Sequence, residues 1–146
     1  MKSMKSQYFS TVAGAFVIAG AVFGVNAGTA NAASLDQFVT PSGNIGCLIG
    51  PAGAVCQIRE HSYAMPQRPD SCHGNYGDVF AVQSGEAGRI TCHTDAPVDF
   101  HSRTVGYGGQ VREGNFVCTV STQYVQCVDA TSGHGFQLAR EFYEVY

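Results

Sequence analysis

The sequence has no lysine beyond residue 5. Lys2 and Lys5 stand in the opening MKSMKSQYF, and from there on six arginines face eleven carboxylates, a balance of −5. No basic stripe remains to release counterions from a nucleic acid, and an anionic lipid surface repels such a chain. Strongly apolar runs are lacking as well. The stretch Thr11 to Val25 is 15 residues diluted by glycine and alanine, short of the roughly 18 or more that a spanning helix requires. No C-x2-C pair marks a zinc site. No G-x-S-x-G elbow or H-E-x-x-H marks a hydrolase nucleophile or a metalloprotease. The eleven acidic residues show no pattern that would bring two together as a glycosidase pair. Helical periodicity is missing too, except in the tail LAREFYEVY, where Leu138, Phe142 and Val145 fall on one face of a short helix.

What is present begins with a leader. A basic start, an apolar stretch and the small residues of GTANAAS follow one another in the order of a secretory signal peptide. Ala30 and Ala32 fit the two small-residue pockets of a signal peptidase, which places cleavage after Ala32. Ala33 is not a cysteine and no twin arginine precedes the apolar stretch, so the expected route is general secretory export without a lipid anchor. The organisation expected is a signal peptide over 1–32, a flexible mature N-terminus over 33–37 and a single disulfide-linked domain over 38–146. No integral membrane segment is expected after cleavage.

All six cysteines, Cys47, Cys56, Cys72, Cys92, Cys118 and Cys127, lie in the exported part. In a small secreted domain an even count reads as a disulfide framework. GNIGCLIGPAGAVC and GNFVCTVSTQYVQC each hold two cysteines with eight residues between them, after a Gly-Asn and a large apolar residue. Each reads as a hairpin. Folding about Gly50-Pro51-Ala52-Gly53 sets Cys47 opposite Cys56, and a turn at Thr122-Gln123 sets Cys118 opposite Cys127. Opposed residues of antiparallel strands lie about 4.5–5.5 Å apart at Cα, within disulfide reach. Elimination leaves Cys72 with Cys92. Loop closure gives about 2.7 kcal/mol for a ten-residue ring and about 3.3 for a twenty-one-residue ring, roughly 9 for the three. The rival use of these sulfurs, a metal site built on Cys72-His73 and Cys92-His93, lacks ligand spacing and competes with oxidation. No metal or other cofactor is expected.

Between the cysteines the chain is β-like. DVFAVQ (78–83) and GRITCH (88–93) flank SGEAG as a hairpin with Cys92 on its return strand; VDFHSRTVGY (98–107) alternates like an edge strand ended by Gly108-Gly109. Phe116–Val120 and Tyr124–Val128 form the last hairpin. HSYAMPQRPDSCHGNYG (61–77) breaks the alternation with prolines and glycines and reads as a loop pinned at Cys72. The fold class expected is all-β, a small disulfide-linked sandwich or barrel of about seven short strands with a short C-terminal helix.

TPSGNIGC (40–47), Tyr63 in its proline-bearing loop, ITCHTD (90–95), GYGG (106–109), the C-x8-C hairpin and GHGFQLAR (133–140) together resemble a family of small secreted actinobacterial proteins without an assigned function. The resemblance covers nearly all of residues 38–146 and rests most on GNIGC first and GHGF last with the cysteines between. It implies secretion, a disulfide-linked domain and no known catalytic residue. The family's tail more often reads L-S-R, where this chain has Leu138-Ala139-Arg140; serine caps a helix and alanine does not.

His134 lies between Gly133 and Gly135. As a general base it would need a nucleophile and a carboxylate, for which Asp129, Ser132 and Glu141 are the nearby types. The more economical reading is a turn: the glycines permit positive φ on either side and the chain enters Phe136-Gln137-Leu138 as a final strand with Phe136 and Leu138 inward. Another groups His134 with Tyr107, Arg140 and the Gly108-Gly109 backbone on a binding surface. No catalytic residue is assigned. The function expected is a secreted, non-enzymatic module that binds a protein or envelope component. The alternatives are a protease inhibitor presenting the 61–71 loop, whose Met65 and Arg68 are each followed by proline, and a small hydrolase using His134.

Overall fold

The computed structural model describes residues 34–146, so the leader assignment over 1–32 lies outside the described residues. Eleven strands and no helix make up the described chain. They are β1 (Asp36–Val39), β2 (Ile45–Gly50), β3 (Gly53–Ile58), β4 (Val79–Gln83), β5 (Arg89–Ile90), β6 (Arg103–Thr104), β7 (Gln110–Glu113), β8 (Phe116–Val120), β9 (Val125–Asp129), β10 (Gly135–Leu138) and β11 (Tyr143–Val145). One sheet runs β5-β4-β3-β2-β1-β6 and the other β11-β10-β9-β8-β7. Every pairing is antiparallel except β1 with β6.

Period-two alternation explains how the sheets close on each other. Phe38, Ile45, Cys47, Ile49, Ala54, Cys56, Ile58, Phe80 and Val82 point inward from the first sheet. Val111, Phe116, Cys118, Val120, Val125, Cys127, Phe136 and Leu138 do so from the second. The hairpin cysteines occupy opposed positions, Cys47↔Cys56 and Cys118↔Cys127. Each pair is bridged at a Cα separation of 4.1 Å, and Cys72 is bridged to Cys92. The pairing expected from hairpin symmetry is therefore the pairing found. The register adds what local pattern does not show: both hairpin bridges face the core, and Cys56 Sγ lies 3.6 Å from Cys127 Sγ, one bridge resting on the other.

A second small layer lies outside the first sheet. β5 and β6 sit at its opposite edges, so residues 91–102 cross its outer face, where Val98 and Phe100 lie against Gly46 and Val98 is buried. This crossing corrects the 98–107 strand, of which only Arg103 and Thr104 pair, alongside β1. It also corrects Cys92, which stands beyond the end of β5 rather than on a return strand.

Two other expectations change. The tail is not a helix: Ala139 N–H donates to Phe142 O and the chain returns as β11, with Leu138 opposite Tyr143 and Phe136 opposite Val145. Phe142 and Val145, two of the three residues of the supposed apolar helix face, are exposed, and Tyr143 packs on Phe80 with ring centroids 5.1 Å apart. Aromatic and β-branched residues favour a strand here, and a free edge on β10 supplies its partner. The expected strand number is also too low, because β1, β7 and β11 are short or polar. β1 begins at Asp36, inside the 33–37 stretch expected to be flexible.

Candidate functional site

The connections gather at two ends of the sandwich, and the residues of the expected binding surface divide between them. At one end lie the turns β2–β3, β4–β5, β7–β8 and β9–β10; Pro51 sits against Gly114, and Gly85 N–H donates to Asp129 Oδ2 at 3.4 Å. His134 is in the β9–β10 turn of this group. At the other end the Thr40–Ile45 turn, the exit of β3, Tyr107, the Ser121–Tyr124 turn and Ala139–Glu141 surround an open cleft of about 480 Å³. Tyr107 and Arg140 both line it, whereas His134 does not. The reason is length: Arg140 stands six positions beyond His134, with β10 between them, about 20 Å at the rise of a strand. Grouping the three on one surface is therefore corrected to Tyr107 with Arg140. The Gly108-Gly109 backbone is also engaged, since Gly108 N–H donates to Val120 O and Gly109 O accepts from Val120 N–H.

At the His134 end the polar groups are committed to the turn. Asp129, 1% exposed, accepts from Thr131 N–H at 2.9 Å, Thr131 Oγ1 at 2.6 Å and Ser132 Oγ at 3.0 Å. Gly133 takes φ of 77°, and Asp129 N–H donates to His134 O. Ser132 Oγ thus donates to Asp129 while accepting from His134 N–H at 3.3 Å. The imidazole of His134 makes no hydrogen bond among the described residues. Serine, carboxylate and histidine are neighbours here, but they are bonded as a turn and not as a relay.

This carboxylate sets a pH dependence. Hydrogen bonds from the Thr131 side chain and backbone hold Asp129 at about 2, below its ordinary 3.8. A folded pKa below the unfolded one makes its stabilisation complete above about pH 4 and lost as pH falls towards about 2. Asp129→Asn is expected to flatten that acid limb of the urea-unfolding midpoint against pH, leaving a midpoint at neutral pH below that of the wild type. An acid limb unchanged by the substitution would contradict the assignment.

A second polar cluster, not anticipated from sequence, ties the 61–77 loop to the first sheet. His93 Nε2 lies 2.8 Å from Asp78 Oδ1 and its Nδ1 lies 3.0 Å from Asp95 O. Gln57 Nε2 donates to Asp78 Oδ2. Burial works against the charged form of Asp78, yet the hydrogen bonds from His93 and Gln57 outweigh it and hold its carboxyl below the ordinary range. Asn75 and His93 exchange backbone hydrogen bonds, and Tyr63 Oη donates to Gly77 O at 2.7 Å. Burial pushes the Tyr63 hydroxyl well up, so it stays a neutral donor. Both ring nitrogens of His93 are occupied, and the cluster holds the loop in place. Within that loop Arg68 Nη1 donates back to Gly74 O at 3.3 Å, while Met65 is exposed beside Gly77.

The cleft is built differently, with a fixed frame and a free rim. Asn44 clamps the exit of β3: its Nδ2 donates to Glu60 O and its Oδ1 accepts from Glu60 N–H, both at 2.9 Å. Ser121 Oγ caps its own turn, donating to Tyr124 O and accepting from Gln123 and Tyr124 N–H. Arg140 O accepts from Ser62 N–H at 2.7 Å. These groups shape the cleft and are spent in doing so. Tyr107, Thr122, Gln123, Arg140, Glu60 and Glu141 are exposed around it. Arg140 Nη2 lies 3.8 Å from Glu60 Oε2, and Arg59 lies 3.9 Å above the Phe100 ring. Sequence reasoning missed Asn44, Glu60 and Gln123; the Gly-Asn of TPSGNIGC was the available signal, read there only as a motif.

All six cysteines are in disulfides, so the sulfurs beside His73 and His93 are joined to each other. Cys47, Cys56 and Cys127, which cluster closely enough to resemble a metal-ligand group, have no thiolate to give. No helix among the described residues is long and apolar enough to cross a membrane. A family model described as a family of unknown function, DUF6636, matches residues 17–146. No curated protein and no solved structure matches the chain.

Proposed function

This chain belongs to the DUF6636 family, and on that premise we propose that it is an exported, non-enzymatic module that binds an envelope component in the cleft bearing Tyr107 and Arg140. The observation that carries the reading is the convergence of these residues, from connections far apart in sequence, on one open cleft of about 480 Å³. That size falls within the roughly 300–1,000 Å³ of ligand sites. Three disulfides suit an oxidising compartment, in keeping with the leader pattern of the first 32 residues. A non-enzymatic role is supported by the turn bonding around His134, in which Asp129 and Ser132 satisfy each other.

The test is sedimentation with isolated envelopes from the producing cells. Wild-type protein and His134→Gln are expected to sediment with the envelopes, and Tyr107→Ala/Arg140→Ala to remain in the supernatant with at least about tenfold weaker binding, near 1.4 kcal/mol. Both cleft side chains are exposed, so the double variant should keep its unfolding midpoint. A folded double variant that sediments like wild type would contradict the reading.

A further inference from the structure

Resting on that reading of the cleft, we propose that its ligand is an uncharged glycan, held with a sugar ring against Tyr107 and its hydroxyls on the surrounding polar side chains. The charge balance of the site comes first. Arg59 and Arg140 are matched by Glu60 and Glu141 around the cleft, with Arg140 facing Glu60 and Arg59 set over Phe100. An anionic polymer would meet two arginines balanced by two glutamates and so no net positive charge at the cleft, on a chain whose balance beyond residue 5 is −5. Phosphate and carboxylate recognition generally draws on an excess of arginine or lysine, and the neighbouring Glu60 and Glu141 work against it here.

An apolar ligand is equally poorly served. Polar and apolar surface share the lining almost evenly, and a ligand without polar atoms would bury the hydroxyls, amides and charged groups unsatisfied at about 1–3 kcal/mol each. What remains is a neutral molecule rich in hydroxyls that also has one apolar face. A pyranose or furanose ring fits: its C–H face packs on an aromatic ring and its hydroxyls both donate and accept. Tyr107 supplies the platform, 53% exposed, and a tyrosine suits this place because its ring is apolar and its hydroxyl stays wet. Thr122 both donates and accepts, Gln123 offers an amide with both capacities, Glu60 and Glu141 accept, and Arg140 donates. Little rearrangement is needed on binding, since the turns beneath are fixed by Asn44 and Ser121. Frames fixed in advance lower the ordering cost of binding.

The experiment uses the disulfide-intact protein and protein-free envelope polysaccharide, prepared with and without periodate, which cleaves vicinal diols. Untreated envelopes, protease-digested envelopes and inorganic polyphosphate are run in parallel. The expected result is binding to the polysaccharide that periodate removes, that raising salt from about 50 to 500 mM changes by less than about twofold, and that Tyr107→Ala weakens at least about tenfold. Tyr107→Phe, which keeps the stacking face, is expected to stay within about threefold of wild type. Envelope binding that protease destroys but that still depends on Tyr107 would overturn the glycan and leave the cleft reading standing. Binding confined to polyphosphate and lost at high salt would overturn it as well. Envelope binding indifferent to Tyr107 and Arg140 would overturn the cleft reading itself.

Discussion

Full reduction is expected to unfold this domain, with its bridges opening in two stages. Cys92 is exposed just beyond the end of β5, where it is joined to Cys72 of the 61–77 loop, so a reductant reaches that bridge without any opening of the sandwich. The other four sulfurs belong to residues at most 1% exposed, and a thiolate reaches them only through local or global unfolding. Graded reduction with alkylation should therefore label Cys72 and Cys92 first, with far-UV circular dichroism unchanged, and the remaining four together as the signal collapses. Replacing Cys47 and Cys56 by alanine is expected to cost about 2–5 kcal/mol in urea unfolding. Losing all three bridges removes roughly 9 kcal/mol, against a total stability of about 5–15 kcal/mol for an ordinary domain. Simultaneous labelling of all six cysteines in the native state would contradict a buried pair of core bridges.

The second large effect falls on a glycine, and not for the reason its sequence neighbours suggest. Gly133 and Gly135 flank His134, and both were expected to supply positive φ; Gly133 does, at 77°, while Gly135 has an ordinary strand conformation. What Gly135 supplies is room. A Cβ there would stand 2.3 Å from Cys127 O and 2.8 Å from Val128 Cγ1, inside the β9–β10 pairing and too close for small adjustments to relieve. Gly135→Val is expected to destroy the fold or to lower stability by more than about 4 kcal/mol. A Cβ at Gly133 meets no atom within 4 Å, so Gly133→Val is expected to cost chiefly its left-handed conformation, about 1–2 kcal/mol or somewhat more for a β-branched side chain. His134→Gln stays within about 0.5 kcal/mol. Urea midpoints of the three variants test that order. A His134→Gln variant as damaged as Gly135→Val would give the imidazole a structural duty that its surroundings do not suggest.

These two sets of variants also mark what was legible in the sequence. Hairpin symmetry about Pro51-Ala52 and about Thr122-Gln123 is local information, and it identified Cys47–Cys56 and Cys118–Cys127, with Cys72–Cys92 following by elimination. Phe136 and Leu138 were placed inward by strand alternation, and both are fully buried. The tail was misread because Leu138, Phe142 and Val145 satisfy helical spacing, while the deciding term is an unpaired edge on β10, which no local window contains. The 98–107 segment failed in a related way. Its alternation is real, yet Val98 is buried against the outer face of the first sheet, a surface that exists only once the six strands are assembled.

The candidate site divides along the same line. Tyr107 and Arg140 were grouped on one candidate binding surface, and both line one cleft. His134 was grouped with them as well, but β10 lies between it and Arg140 and carries the two to opposite ends. The Asn44–Glu60 clamp spans 16 residues, and the contact of Ser62 with Arg140 spans 78. Neither has a sequence signature, because each depends on which strands end side by side.

The measurement that bears most directly on a sulfur-crosslinked frame holding this cleft is peptide mapping of the purified protein without reduction. Cross-linked peptides joining Cys47 to Cys56, Cys72 to Cys92 and Cys118 to Cys127 are predicted, with no free thiol. A crossed pair such as Cys56 with Cys127, whose sulfurs already touch at 3.6 Å, or a free cysteine among the six, would contradict the registers of both hairpins.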